Sequence, residues 1–264
     1  MIRATIIAML MHLCGGLWAQ DQDAAFTIPF QQPAGDTIDQ SGSLYVADAM
    51  GNLFKYNARG EYVVEYSPEQ PARITDLEAW QGLRIFLFYR DLQQYAFLNR
   101  FLIAQGSYDF NPSAVGFVEA AAPSADNNVW LFDQADFSLK KYNLQLKQVV
   151  LSTPFDLLLD PDDYRIGTIR EYQNKVYISD YREGIFVFDN LGNYLSKIPG
   201  RGVEYFSFWD QTLHFVRDNL LTSIALYNDS HSPTSLPAAR QWQFAVRYEN
   251  RLYLVSDSEI RVYH

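Results

Sequence analysis

The segment Leu44 to Pro68, LYVADAMGNLFKYNARGEYVVEYSP, constrains the fold more than any other stretch of the chain. An apolar run ends at Asp48, Gly51-Asn52 makes a turn, a second run ends at Tyr56-Asn57, Arg59-Gly60 makes another, and a third run closes on Ser67-Pro68. Short runs rich in Val, Tyr, Phe and Leu between turn-formers predict three antiparallel strands in a meander. The segment recurs at intervals of about 42 residues. Its opening residue falls at Leu44, Ile85, Val129, Val176, Leu213 and Leu252. A ring follows each opening: Tyr45, Phe86, Trp130, Tyr177, His214 and Tyr253. Farther on, a strand end is marked by an aromatic and a turn-former at Tyr56-Asn57, Tyr142-Asn143, Phe188-Asp189, Tyr227-Asn228 and Tyr263-His264, with Leu98-Asn99 as the divergent copy.

Before each opening lies one more apolar run, as in ITDLEAW at 74–80, AVGFVEA at 114–120 and IGTIREY at 166–172. Four strands per copy and six copies predict a six-bladed β-propeller over 20–264. The sixth copy reaches His264 without an outermost strand, and AAFTIPF at 24–30 matches the missing piece. Other outermost strands end on proline at Pro68, Pro154, Pro199 and Pro237, as this one does at Pro29. Proline is tolerated on an outer strand because its missing N–H costs no ladder bond, and a three-stranded last blade would leave an open edge. Residues 24–30 are therefore expected to close the ring.

Residues 1–19 are of a different kind. Arg3 gives a positive start, Ala4 to Leu13 an apolar stretch, and Leu17-Trp18-Ala19 a cleavage site before Gln20. This pattern predicts a signal peptide, with an apolar stretch too short to span a bilayer, and so no membrane insertion of the mature chain. Cys14 is the only cysteine and would leave with that segment; the alternative, Cys14 as a lipidated first residue, lacks the small residue expected just before it. A mature chain without cysteine has no thiol nucleophile and suits export to a periplasm or beyond. The formal net charge of −10 argues against nucleic acid and anionic membranes as partners, since both need a basic surface.

The runs LYVADAMGNLFKYNARGEYV and VYISDYREGIFVFDNLGNYL resemble the blades of NHL-type and TolB-like six-bladed propellers, and the likeness extends over the whole mature chain. The matching positions are turns and core, so the resemblance implies fold and not activity. The alanine-glutamine junction after the leader resembles exported proteins of Bacteroidota, which implies a periplasmic envelope protein, expected to be a monomer.

Few residues suggest chemistry. His214 sits in the slot of the ring series, which predicts a packed ring; His231 lies in DSHSPTS, expected to be a polar loop, and His264 ends the chain. Asp48, Asp133, Asp180 and Asp257 recur just after a strand and predict turns closed by side-chain acceptors. Asp160, Asp162 and Asp163 lack the spacing of a calcium loop and also predict a turn. Four acids, Asp39, Glu78, Glu119 and Glu171, fall late in the strands expected to line the axis. Converging oxygens there would suit Ca2+, as in the six-bladed lactonases that such a site would resemble. Solvation at the channel mouth is the plainer expectation.

The longest insertion between copies, TPFDLLLDPDDY at 153–164, sets Phe155, Leu157, Leu158 and Leu159 in one connection. SYDFNPSA at 107–114 adds Tyr108 and Phe110 on the same side. These six residues make either a satellite core or a docking patch on an acidic rim. Two functional readings follow. One is a non-enzymatic binding module for a protein of the cell envelope, such as a component of type IX secretion. The other is a metal-dependent, lactonase-like hydrolase built on the channel carboxylates.

Overall fold

The computed structural model describes residues 24–228, 230–238 and 240–264. The leader expected at 1–19, and Cys14 with it, lies outside the described residues. Six sheets of four antiparallel strands each form a ring, a six-bladed β-propeller. The innermost strands are Pro33–Ile38, Asp76–Glu78, Val118–Pro123, Ile166–Tyr172, Ser207–Trp209 and Phe244–Tyr248. Among the described residues the one helical element is a single 3-10 turn, Arg90–Leu92, in blade two, and no helix is long and apolar enough to cross a membrane.

The ring closes between the two ends of the chain. Phe26–Pro29 pairs antiparallel with Glu259–Tyr263 as the outermost strand of blade six, with Phe26 opposite Val262 and Pro29 opposite Glu259. Ala25 N–H adds a bond to the Val262 carbonyl at 2.7 Å. Phe26 packs over the tight turn of blade one at Gly60, where φ is +79° and any Cβ would strike the ring. Glycine supplies both the left-handed backbone and the space.

The apolar runs are continuous because each blade is covered on both sides. Successive side chains of a strand point to opposite faces. Accordingly Leu44 and Val46 enter the core between blades six and one, while Tyr45 and Ala47 enter the core between one and two. The buried residues fall into six such clusters, one between each pair of neighbouring blades. Tyr45, Phe86, Trp130, Tyr177, His214 and Tyr253 are all buried. Truncating the largest of them, Trp130, would cost on the order of 3–5 kcal/mol.

His214 shares this buried position but is polar. Its Nδ1 meets the Ser223 hydroxyl at 2.8 Å, and burial pushes its pKa down to about 4, so the ring is neutral. His231 belongs not to a loop but to the exposed outer strand of blade five, His231–Ser235. The strand-end series also needs one correction. Leu213 pairs with Ile224, the counterpart of the Leu44–Tyr56 pair, so Ile224 fills the slot expected for Tyr227. The hairpin of blade five turns on Asp218 and Asn219, both at positive φ, and this short turn pulls the register in. Tyr227 lies beyond the strand and is 74% exposed.

Three of the recurrent aspartates, Asp48, Asp133 and Asp180, hold turns, and the last two also hold the incoming strand; in blade six the Ser256 hydroxyl, not Asp257, accepts the turn's N–H groups of Ser258 and Glu259. Asp133 accepts the backbone N–H groups of Gly116, Phe117 and Ala135 together with Lys140 Nζ at 2.7 Å. Asp180 accepts from Arg165, Arg182 and Glu183 N–H. Asp160 closes its own turn by accepting Asp162 N–H.

Most of the insertion after blade three is core. Phe155 and Leu159 are buried in the cluster between blades three and four, with Phe155 edge-on to Phe132 at 5.1 Å, and Leu158 is half-buried against the same cluster. Phe110 is buried between blades two and three, 4.9 Å from the Tyr95 ring. Tyr108 is partly exposed but stacks on Tyr95. Of the six residues only Leu157 stands free, at 99% exposure. The connection folds inward because aromatic rings of two blades leave a gap that its apolar side chains fill.

Candidate functional site

All six innermost strands run the same way along the axis. Their first residues reach the face that carries the blade-to-blade connections, and their last residues reach the face of the tight hairpin turns. Between these two ends the axis is blocked. Arg170, in blade four, is 7% exposed and reaches across to blade two: its Nη2 donates to the Leu77 carbonyl at 2.8 Å and its Nε lies 3.1 Å from Glu78 Oε2. Tyr205, from the connection into blade five, donates its hydroxyl to the Asp36 carbonyl of blade one at 2.7 Å. Arg170 and Tyr205 line the cavities on both sides of this partition.

On the hairpin side lies a chamber of about 450 Å³. Trp80, Phe86, Phe97, Tyr172 and Phe208 furnish its rings, and Glu78, Glu171, Arg84 and Arg170 its charges. Tyr172 and Phe208 stack in parallel, 4.4 Å between centroids and 5° between planes. The Arg84 guanidinium covers the Phe97 ring at 3.4 Å, a cation–π contact. Around the mouth Trp80 meets Trp209, and Trp209 meets Tyr248. The hairpin turns of this face also leave Leu83, Phe101, Ile103, Leu146, Leu191 and Tyr227 exposed. Its floor is chemically quiet, since Glu78 and Arg170 neutralise each other.

The chamber on the opposite side, of about 240 Å³, is polar. Asp36 and Asp76 line it, both buried, and burial pushes each pKa up to about 7 against the smaller, lowering effects of the Tyr205 hydroxyl on Asp36 and of Arg170 on both. Asp76 Oδ2 accepts the Ala121 N–H at 3.0 Å. Among the described residues Asp76 Oδ1 and both oxygens of Asp36 have no hydrogen-bond partner. Arg73, Arg90, Arg165 and Glu204 complete the charged lining, Arg165 and Glu204 as an ion pair.

The four acids anticipated as a calcium site are not gathered. Asp39 is spent on a turn, accepting from Ser41 and Ser43 N–H and from the Tyr45 hydroxyl at 2.9 Å. Glu119 accepts the Tyr164 hydroxyl at 3.1 Å, on the outer side of the inner strand. Glu171 accepts the Ser124 hydroxyl at 2.5 Å and Trp130 Nε1 at 2.6 Å. Glu78 faces Arg170. Among the described residues no three His, Cys, Asp or Glu side chains form a group that could hold a metal ion. Sequence reasoning passed over Asp36, Asp76, Arg170 and Tyr205. The signal for the first two was present, as an acid within the innermost strand in PAGDTI and TDLE rather than at its end.

No protein-family model matches the chain, and no curated protein matches it significantly. Solved structures do resemble it, 1076 chains in all. Virginiamycin B lyase from Staphylococcus aureus, as its selenomethionine form, is 13% identical with a TM-score of 0.60, covering 90% of this chain and 88% of its own. The β-propeller domain of Cps50 (Swd1) from Myceliophteria thermophila is 9% identical with a TM-score of 0.65 over 90% and 99%. BamB from Moraxella catarrhalis is 11% identical with a TM-score of 0.50 over 88% and 83%. At such identities what these proteins share with this chain is the β-propeller fold.

Proposed function

We propose that this propeller is an exported binding module of a cell-envelope protein assembly, which grips its partner with the hairpin face and the aromatic chamber at its centre. The observation that carries this reading is the pairing of a ring-lined chamber with a floor whose charges are already satisfied. Rings and exposed aliphatic side chains supply contact area at low entropic cost, which suits a protein segment, and hot spots cluster where such rings are partly enclosed. The leader-like residues 1–19 support export to a periplasm, and an NHL-type propeller of Bacteroidota serving type IX secretion is the specific form of the reading.

The test is capture from envelope extracts by the tagged mature chain, compared with a Trp80→Ala/Phe208→Ala variant and with Leu157→Asp on the opposite face. We expect a partner retained by the parent and by Leu157→Asp and lost from the double variant. Capture that survives the double variant and fails with Leu157→Asp would overturn the assignment. So would lactone hydrolysis by the parent that disappears with a chelator, the outcome expected of the metal-dependent alternative.

A further inference from the structure

The polar chamber at the other end of the axis holds a contradiction that the binding face does not explain. Asp36 is 0% exposed and Asp76 3% exposed, yet three of their four carboxylate oxygens have no hydrogen-bond partner among the described residues. Buried polar groups are normally satisfied, and each exception calls for an explanation. Tyr205 donates to the Asp36 carbonyl, and the influence of its hydroxyl on the Asp36 carboxyl is smaller than that of burial. Arg170 gives neither acid a hydrogen bond: the bonds it makes run to Glu78 and to the Leu77 and Ile169 carbonyls. Both acids line a cavity of about 240 Å³, with their orphan oxygens held in its wall and closed to solvent.

The rest of the lining narrows the ligand. Arg165 is paired with Glu204 and Arg170 with Glu78. Among the described residues this leaves two acids, Asp36 and Asp76, and two cations, Arg73 and Arg90, with no opposite charge paired to them across the cavity. Asp36 and Asp76 are buried beside the partition, whereas Arg73 is exposed at the outer end. Thr75 and Thr168 add hydroxyls, and Gly35 and Gly167 bring backbone to the wall. A group with three donors and one positive charge answers the three orphan oxygens, and an acceptor close behind it answers the arginines.

We propose that this chamber is a binding site for the α-ammonium group of an amino acid or a peptide amino terminus, held by Asp36 and Asp76, with the ligand's carboxylate or carbonyl oxygens turned to Arg73 and Arg90. A metal ion would require further oxygen ligands that the site does not gather. The wide chamber plays no part in this assignment.

The test is thermal unfolding of the mature chain in glycine, triglycine, N-acetylglycine and calcium chloride, each at matched ionic strength. We expect glycine or triglycine to raise Tm, the first if free amino acids are the ligand and the second if peptide termini are, with N-acetylglycine and calcium without effect. The rise should vanish in Asp36→Asn and in Asp76→Asn, both close in shape to the parent residue. No rise with either amine, a rise with calcium alone, or a rise that persists in both variants overturns the proposal. Should a variant fail to fold, carboxyl-carbon NMR of aspartate in the unmodified chain decides. Two buried aspartate signals must move on titration with the stabilising amine, and signals that stay fixed refute the site. Loss of partner capture at the hairpin face in these experiments is not expected, which keeps the two assignments separable.

Discussion

The two chambers share one axis, one partition and the same six strands, and they differ in what their walls leave unfinished. The wide one is apolar and electrically settled: rings stack on one another, Arg84 lies on Phe97, and Glu78 meets Arg170. The narrow one buries two carboxylates without partners. The difference arises from strand direction. Residues that begin an innermost strand meet polar backbone-rich connections, while residues that end it meet short hairpins studded with aromatic side chains. A fold built of near-identical blades thus yields two unlike sites, because a blade has a start and a finish.

The severest way to erase the comparison is to open the ring. Deleting residues 24–30 strips the Glu259–Tyr263 edge and should abolish the cooperative unfolding transition or drive aggregation, as followed by circular dichroism and light scattering. Unchanged Tm and monomeric elution would mean the closure is dispensable. Next comes the partition. Arg170→Ala removes a buried cation together with its contact to the half-buried Glu78 and its bond to the Leu77 carbonyl, and should cost about 3 kcal/mol in urea unfolding. A cost below about 1 kcal/mol would show that water already solvates the axis there.

The third test acts on the narrow chamber alone. Because burial raises the pKa of Asp36 and Asp76 to about 7, the folded state holds their protons more tightly than the unfolded chain does. Their unfavourable contribution is therefore absent at pH below the unfolded carboxylate range and grows as pH rises through about 7. Stability should fall across that window by an amount on the order of a few kcal/mol, and Asp36→Asn should flatten the fall and stabilise the protein at pH 8. His214, pushed down to about 4, acts in the opposite sense as pH drops below its ordinary range, so the parent and variant must be compared at each pH. Identical profiles would mean that Asp36 stays ionised at no cost. The smallest effects belong to the faces. Leu157→Asp should change stability by no more than about 0.5 kcal/mol, whereas Leu159→Asp, two residues on, should cost roughly 3 kcal/mol or more. Equal effects would contradict the inward fold of that connection.

The fold could be read from the chain because its signals are local. Apolar runs such as LYVA, bounded by Gly-Asn and Arg-Gly turns, state both strand and sheet, and the ring after each opening residue states the repeat. Tyr227 misled because a two-residue turn at Asp218-Asn219 changes register without changing composition. Phe155 and Leu159 could not be placed, since an apolar residue in a connection reads the same whether a gap awaits it or not. The narrow chamber was illegible for a third reason. Asp36 meets Tyr205 across 169 residues and Leu77 meets Arg170 across 93, so only the closed ring reveals them as neighbours.

Arg170 and Tyr205 also bear on the mechanics of the wheel. Wedges that touch only adjacent wedges can yield at any joint, and a ring so built could gape by parting one pair of blades. Here blade four is tied to blade two through the Arg170–Leu77 bond, and the connection into blade five is tied to blade one through the Tyr205–Asp36 bond. These are chords across the rim. Parting blades two and three, or five and six, stretches a chord as well as a joint, so the hub acts as bracing, and whatever loosens it should soften the rim at a distance.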